Sequence, residues 1–446
     1  MSRANLPPGP RGRLLSGSLP EFRRDMLGLF DRSARDFGDI VSLRLGSRRL
    51  YLVNHPDFVE QVLVTASRNF RHTYIRRLMR PLLGDGLLTS EGDFWIRQRR
   101  LVQPAFHRQQ ISAYAEVMVD YTLRMLDAWR DGETRDLHAE MMSLTLEIVA
   151  RTLFDADAGS SGAREVGDAM EVVLESFRAR WESLLALPES VPTPTNLRMR
   201  RAVGQLDRII YGFIAQRRRS REERGDLLSL LLRAQDEDGT SMTDKQLRDE
   251  AMTLFLAGHE TTANALAWTL FLVSQYPHVE ARLHSELREA LGERAPSFSD
   301  LPQLKYTETV VQEAMRLYPP AFAVSREAID ECEIGGYRIP SRATLLLCQW
   351  TIHRDARFFE EPLSFRPERW QDNLQKRLPK FAYFPFGGGL RLCVGNAFAM
   401  MEATLVLATL AQKFRFTLAP GQNVEPWPSI TLRPRNGIRM TLQRRA

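Results

Sequence analysis

Residues 252–273, MTLFLAGHETTANALAWTLFLV, are apolar on more than one helical face. A helix of that kind must be enclosed by other elements on several sides. Thr243 or Asp244 is suited to cap it, and Pro277 ends it after about Gln275. Around it, helical spacing predicts further helices over 93–105, 110–129, 137–154, about 165–187, 197–221, 277–290, 303–317 and 396–413, with shorter ones at 56–67 and 226–233. Alternation at Val41, Leu43 and Leu45 followed by Gly46 predicts a hairpin over 39–53. Short strands are expected at 322–326, 332–339 and 343–347, and the terminal TLRPRNGIRMTLQ reads as a small β-hairpin. The fold class is therefore mainly α with small β-sheets.

At 446 residues the chain is long enough for one large domain or several average ones. We read residues 1–20 as a proline-rich arm and 21–446 as one domain. The proline-rich break at 188–194 is a domain linker or a mobile loop of one domain, and the motifs below favour the loop. The net charge of +6 is small for this length and does not point to nucleic acid. Cys332, Cys348 and Cys393 contain no CxxC pair, which disfavours a disulfide framework or a cysteine-rich zinc site and favours a reducing compartment. No stretch has the roughly 20 apolar residues of a membrane span, so a cytoplasmic protein without an integral membrane anchor is expected.

Cys393 lies in FPFGGGLRLCVGNAFAMMEA, after a glycine-rich loop and just before an apolar helix. Helix-start N–H groups and the local dipole favour a thiolate there. Taken alone, the residue reads first as a buried structural thiol. The whole pattern resembles the cytochrome P450 family: Phe386, Gly389, Arg391, Cys393 and Gly395 match its FxxGxRxCxG signature. That resemblance implies a triangular, helix-rich single domain holding haem b, iron protoporphyrin IX. It makes Cys393 the proximal iron ligand, places Phe386 beside it, pairs Arg391 with a haem propionate and directs glycine N–H groups toward sulfur. A thiolate ligand donates electron density that favours O–O cleavage.

Three further matches follow. Ala257-Gly258-His259-Glu260-Thr261-Thr262 has the family's AGx(D/E)T form, which implies proton delivery by Glu260 and a Thr261 hydroxyl that organises oxygen and water. Without it, Thr261 would simply back-bond within its helix and Glu260 would be solvated or paired. His259 occupies the variable position and is expected to be structural. Glu313 and Arg316 match ExxR, and Pro367-Glu368-Arg369-Trp370 resembles the PERF element, so Glu313, Arg316 and Arg369 are expected to form a structural triad. Trp370 departs from the usual Phe. Trp95 and Arg99 fit WxxxR on one helix face, and both, with Arg326, are expected at the haem propionates.

The resemblance implies insertion of one atom of O2 into a lipophilic small molecule by hydroxylation or epoxidation. Electrons would come from a separate ferredoxin or flavodoxin with its reductase, since the chain has no recognisable flavin domain or ferredoxin cysteine cluster. Arg97, Arg100 and Arg108 are candidates for a docking face on a monomeric enzyme. Leu88, Leu254, Ala257, Ala321, Phe322 and Ile430 are expected around the substrate, which suggests a fatty acid, terpenoid or polyketide-like compound. Arg71, Arg76, Arg77 and Arg80 either guide a carboxylate or form a solvated basic loop. A peroxide-dependent peroxygenase and a non-catalytic haem sensor are the alternative readings.

Overall fold

The computed structural model describes residues 5–72, 75–155, 165–173, 175–176, 191–219, 226–234, 239 and 241–445. Most of the helix expected over 165–187, and the first part of the break at 188–194, lie outside these residues.

The expected central helix is α7, Asp244–Gln275. Its start is fixed by a capping box: Gln246 N–H donates to Thr243 Oγ1 at 3.2 Å, and Thr243 N–H donates to Gln246 Oε1 at 2.8 Å. It packs along α5 (Leu137–Phe154), α6 (Pro194–Arg219), α9 (Lys305–Leu317) and α10 (Asn396–Lys413). Helices α1 (Met26–Phe37), α2 (Ile75–Leu83), α3 (Gly92–Val102), α4 (Arg108–Asp127) and α8 (Pro277–Leu291) complete the long elements. The span of α5 begins where Asp136 accepts the His138 and Ala139 N–H groups, at 3.0 and 3.4 Å.

Five short strands form one sheet in the order β1 (Ile40–Leu45), β2 (Arg48–Val53), β8 (Thr344–Leu347), β5 (Val324–Ala328), β3 (Phe70–Arg71). The expected β1–β2 hairpin pairs Ile40 with Val53 and Leu45 with Arg48, and turns through Gly46 at φ +65°. The N-terminal segment lies against β1: Ser42 N–H donates to Pro8 O at 2.7 Å, and Gly17 bridges Leu45. β6 (Cys332–Ile334) pairs with β7 (Tyr337–Ile339).

The terminal segment departs from expectation. β11 (Leu432–Pro434) pairs with β10 (Pro426–Pro428), whereas β12 (Arg439–Arg444) lies between β9 (Phe414–Leu418) and β4 (Thr134–Asp136), so the two do not form a hairpin with each other. The reason is burial. Ile438, Met440 and Leu442 are fully enclosed in the main core, and Asp136 Oδ1 accepts Ile438 N–H at 2.9 Å, which draws the last strand to the start of α5.

Candidate active site

The cysteine loop is shaped by its glycines and by a buried histidine. Gly389 has φ +64°, and an added Cβ would lie 2.1 Å from Leu63 O; at Gly388 it would lie 2.1 Å from the Phe381 ring. Cys393 N–H donates to Phe386 O at 3.0 Å. His353 Nε2 accepts Phe384 N–H at 3.0 Å, and Gln349 Nε2 donates to Phe384 O at 2.7 Å. Neither His353 nor Gln349 stood out in the sequence, because their partner lies more than 30 residues away.

Gly395 caps α10, so Cys393 is presented just ahead of the helix start. Burial pushes the Cys393 thiol up, while the Gly395 N–H and the Arg99 guanidinium pull it back. The same residue is solvent-accessible. The sulfur is thus flanked by protein and still reachable by a ligand. α7 has the matching signature: Ala257 is exposed and Thr261 half-buried, although Leu256, His259, Glu260 and Thr262 around them are buried.

One edge of this region is cationic. Arg99 Nη1 donates to Leu392 O at 2.8 Å, and the Arg391 guanidinium lies 4.2 Å from the centre of the buried Trp95 ring. The Trp95 and Arg99 face of α3 is thus docked on the cysteine loop. Arg326, on β5, donates through Nη1 to Ser325 O at 2.8 Å. Burial lowers its pKa to about 10, with Glu91 opposing.

Glu313, on α9, is fully buried and accepts five hydrogen bonds. Arg316 supplies Nε at 2.9 Å and Nη2 at 2.8 Å, Arg366 its backbone N–H at 3.0 Å, Arg369 Nε at 2.8 Å and Trp370 Nε1 at 2.9 Å. Arg316 also donates to the carbonyls of His353, Pro362 and Ser364. The predicted triad is therefore assembled, and Trp370 contributes an N–H that Phe lacks.

Glu260 and Thr261 are adjacent in sequence but engage different partners. Thr261 Oγ1 donates to Ala257 O at 2.8 Å. Glu260 accepts from Thr431 Oγ1 and lies 3.3 Å from Arg433 Nε. Asn264 Nδ2 donates to Thr431 Oγ1 at 3.2 Å, and Asn264 Oδ1 is 3.0 Å from His138 Nε2. No local pattern announces Thr431 or Arg433, which reach Glu260 only because β11 packs on α7. His259 is buried, 3.0 Å from Phe255 O through Nδ1, and burial lowers its pKa, so it is neutral packing at physiological pH.

Leu254 and Ile430 share the main core, whereas Phe322 packs with Phe22, Phe30, Leu346 and Trp350 around α1 and the large sheet. Ala321 is half-buried and Leu88 is 46% exposed. Arg71 pairs with Glu327 at 2.6 Å and Arg80 with Asp85 at 3.1 Å. Arg100 is exposed and Arg97 half-buried, while the side chains of Arg76, Arg77 and Arg108 lie outside the described residues.

A helix-rich fold that presents one accessible thiol just ahead of a buried helix, beside an arginine-rich edge, and leaves Ala257 and Thr261 uncovered on its longest helix suits a thiolate-ligated cofactor enzyme. Residues 7–441 match the family described as Cytochrome P450. The chain is 41% identical to cyclooctatin synthase of Streptomyces melanosporofaciens over 89% of this chain and 86% of that protein. It is 37% identical to cyclooctat-9-en-7-ol 5-monooxygenase of the same organism, over 92% and 88%. Pentalenene oxygenase of Streptomyces avermitilis is 33% identical over 93% and 92%. A retinoic acid-bound cyanobacterial CYP120A1 superposes with a TM-score of 0.88 at 25% identity, covering 100% of both chains.

The chain belongs to the cytochrome P450 family and is a haem-dependent monooxygenase that uses O2. The residues present fit a haem: an accessible thiol, uncovered Ala257 and Thr261 on α7, and an indole and guanidinium groups packed on the cysteine loop. Among the described residues, no helix is long and apolar enough to cross a membrane.

Proposed function

We propose that this enzyme hydroxylates or epoxidises an unsaturated, largely hydrocarbon substrate of the terpenoid type, with haem b held by Cys393. The observation that carries the substrate class is the set of relatives whose names specify an unsaturated alcohol oxidised at one position, or an unsaturated hydrocarbon, matched along nearly the whole chain. The apolar candidates Leu88, Leu254, Ala257, Ala321 and Ile430 suit such a molecule, and the half-buried Ala321 and Ile430 bring no charge to it.

When bound, the haem supplies the redox chemistry that activates O2. The chain supplies the rest. Cys393 acts as the thiolate, and the Gly395 N–H tempers its charge. Arg99, Arg326 and Arg391 would neutralise the propionates and the Trp95 indole N–H would donate a hydrogen bond to one, with Phe386 packed beside the sulfur loop. Thr261 would exchange its bond to Ala257 O for one that passes a proton through Oγ1, and Glu260, on leaving Arg433 and Thr431, would take a proton from solvent and relay it. Electrons arrive from a ferredoxin or flavodoxin with its reductase, at a face that includes Arg97 and Arg100. We place the enzyme in the cytoplasm as a monomer, with 21–446 as one catalytic domain and 1–20 as an N-terminal arm.

The test is a screen of cyclic terpenoid hydrocarbons and alcohols by the ferric-haem spectral shift, followed by product analysis with an electron donor or with peroxide. Oxygenated products dependent on donor and O2 support the proposal. Turnover only with peroxide, or only of fatty acids, overturns it. The reduced CO spectrum checks the ligand: Cys393→Ser must abolish the thiolate band, and the pyridine haemochrome must be that of haem b.

A further inference from the structure

α7 grips the backbone of the loop at 84–90 with two adjacent acidic side chains. Asp249 Oδ2 accepts Asp85 N–H at 3.0 Å, and Glu250 Oε2 accepts Leu87 N–H at 2.9 Å. The loop is shaped to receive them. Gly84 has φ +55°, and an added Cβ would lie 2.1 Å from the Asp249 carboxylate. At Gly86 it would lie 2.2 Å from Thr253 Oγ1 and 2.5 Å from Asp249 O. The loop closes on itself through Thr89, whose hydroxyl donates to Gly84 O at 2.8 Å and whose N–H donates to Gly86 O at 2.9 Å.

The grip is itself braced. Asp249 takes Lys245 Nζ at 2.6 Å and Arg248 Nη1 at 3.0 Å, and Arg248 Nε reaches Asp207 of α6 at 2.6 Å. Glu250 is 1% exposed, with no cation in hydrogen-bond contact among the described residues, so its clearest task is to hold the Leu87 amide. Glu250, Leu254, Ala257 and Thr261 follow one another at helical spacings of four, three and four, hence along one stripe of α7. Leu87 turns inward at 9% exposure, and Leu88 beside it is 46% exposed.

We infer that Asp249 and Glu250 are positioning residues for substrate selection: by fixing the 84–90 loop on α7 they hold Leu88 as a rigid wall over the Leu254–Ala257–Thr261 stripe, and so limit the size of molecule that reaches the haem. This rests on the proposed placement of Leu88 and Leu254 beside the substrate.

The test uses haem-loaded protein and two azole probes, compact 4-phenylimidazole and bulky clotrimazole, titrated by their haem absorbance shifts. The ratio of their dissociation constants reports the wall. Hydrogen exchange of the peptide spanning 84–90 reports the grip. Glu250→Gln keeps an acceptor oxygen and should leave both readouts within about twofold. Glu250→Leu should speed exchange at least tenfold and shift the probe ratio at least fivefold toward clotrimazole, with the CO band intact. Gly86→Ala, which pushes the loop off Thr253 without touching a carboxylate, should shift the ratio the same way, and it carries the test if Glu250→Leu does not load haem. Leu88→Ala separates the two layers of the argument. A ratio that moves with Leu88→Ala but not with Glu250→Leu or Gly86→Ala overturns the grip alone. Faster exchange with no change of ratio in any variant overturns the wall, and the inference with it.

Discussion

Replacing Trp370 by Phe restores the residue usual for the family at this position and, by the geometry found here, should weaken the protein. The indole Nε1 is one of five donors to the Glu313 carboxylate, at 2.9 Å, and Glu313 is fully buried. A hydrogen bond to a charged group contributes about 1.5–3 kcal/mol. The phenyl ring also fills less of the space beside Tyr383, whose ring centre is 4.4 Å away, which adds on the order of 1 kcal/mol. Arg316 and Arg369 remain, so the carboxylate stays paired and the loss stays below the roughly 3–5 kcal/mol expected when one partner of a buried ion pair is deleted. The expected cost of Trp370→Phe is thus about 3 kcal/mol. Urea unfolding of the haem-loaded protein, followed by far-UV circular dichroism, measures it. A loss below about 1 kcal/mol at unchanged denaturant slope would refute the reasoning, because the indole N–H would then be contributing nothing that water or the arginines do not replace.

Glu250 gives a pH test. Burial raises its carboxyl pKa to about 8 from 4.5. Below about pH 4.5 both folded and unfolded chains hold the proton; between there and pH 8 only the folded one does, so stability falls as pH rises, by roughly 5 kcal/mol at most. Glu250→Gln should therefore match the wild type near pH 4.5 and gain on it up to pH 8 in parallel urea titrations; equal curves at both ends would show that the carboxyl is not held protonated. Gly389→Ala sets a Cβ against Leu63 O at a left-handed position, costing about 1–3 kcal/mol, and should loosen the cysteine loop, seen as faster haem transfer to apomyoglobin. Thr261→Ala should keep the thiolate CO band while a larger share of consumed electrons appears as hydrogen peroxide. Glu260→Gln should lower turnover about a hundredfold with a raised solvent isotope effect, and an unchanged rate would remove Glu260 from proton delivery.

The elements most legible in the sequence were those specified by neighbours in the chain. α5 and α10 match their expected spans, because a capping aspartate, a glycine and an apolar period act over a few residues. The same holds for the Cys393 loop, whose signature is contiguous, and for Glu313 with Arg316, three apart on one helix. By contrast, the terminal hairpin failed, since β11 pairs with β10 while β12 is drawn between β9 and β4, where Ile438, Met440 and Leu442 are buried in the main core.

What tertiary packing alone decided is which distant groups meet a buried charge. Glu260 is recognisable as an acid from its motif, yet its partners Thr431 and Arg433 come from 171 and 173 residues further along. Trp370 reads as an aromatic exchange until its N–H is found on Glu313. The grip on the 84–90 loop joins residues more than 160 apart. Local pattern specifies helices, turns and the residue types that bind a cofactor, because those depend on short-range sterics and periodicity. The hydrogen bonds that a buried carboxylate requires are satisfied only once the chain has closed around it.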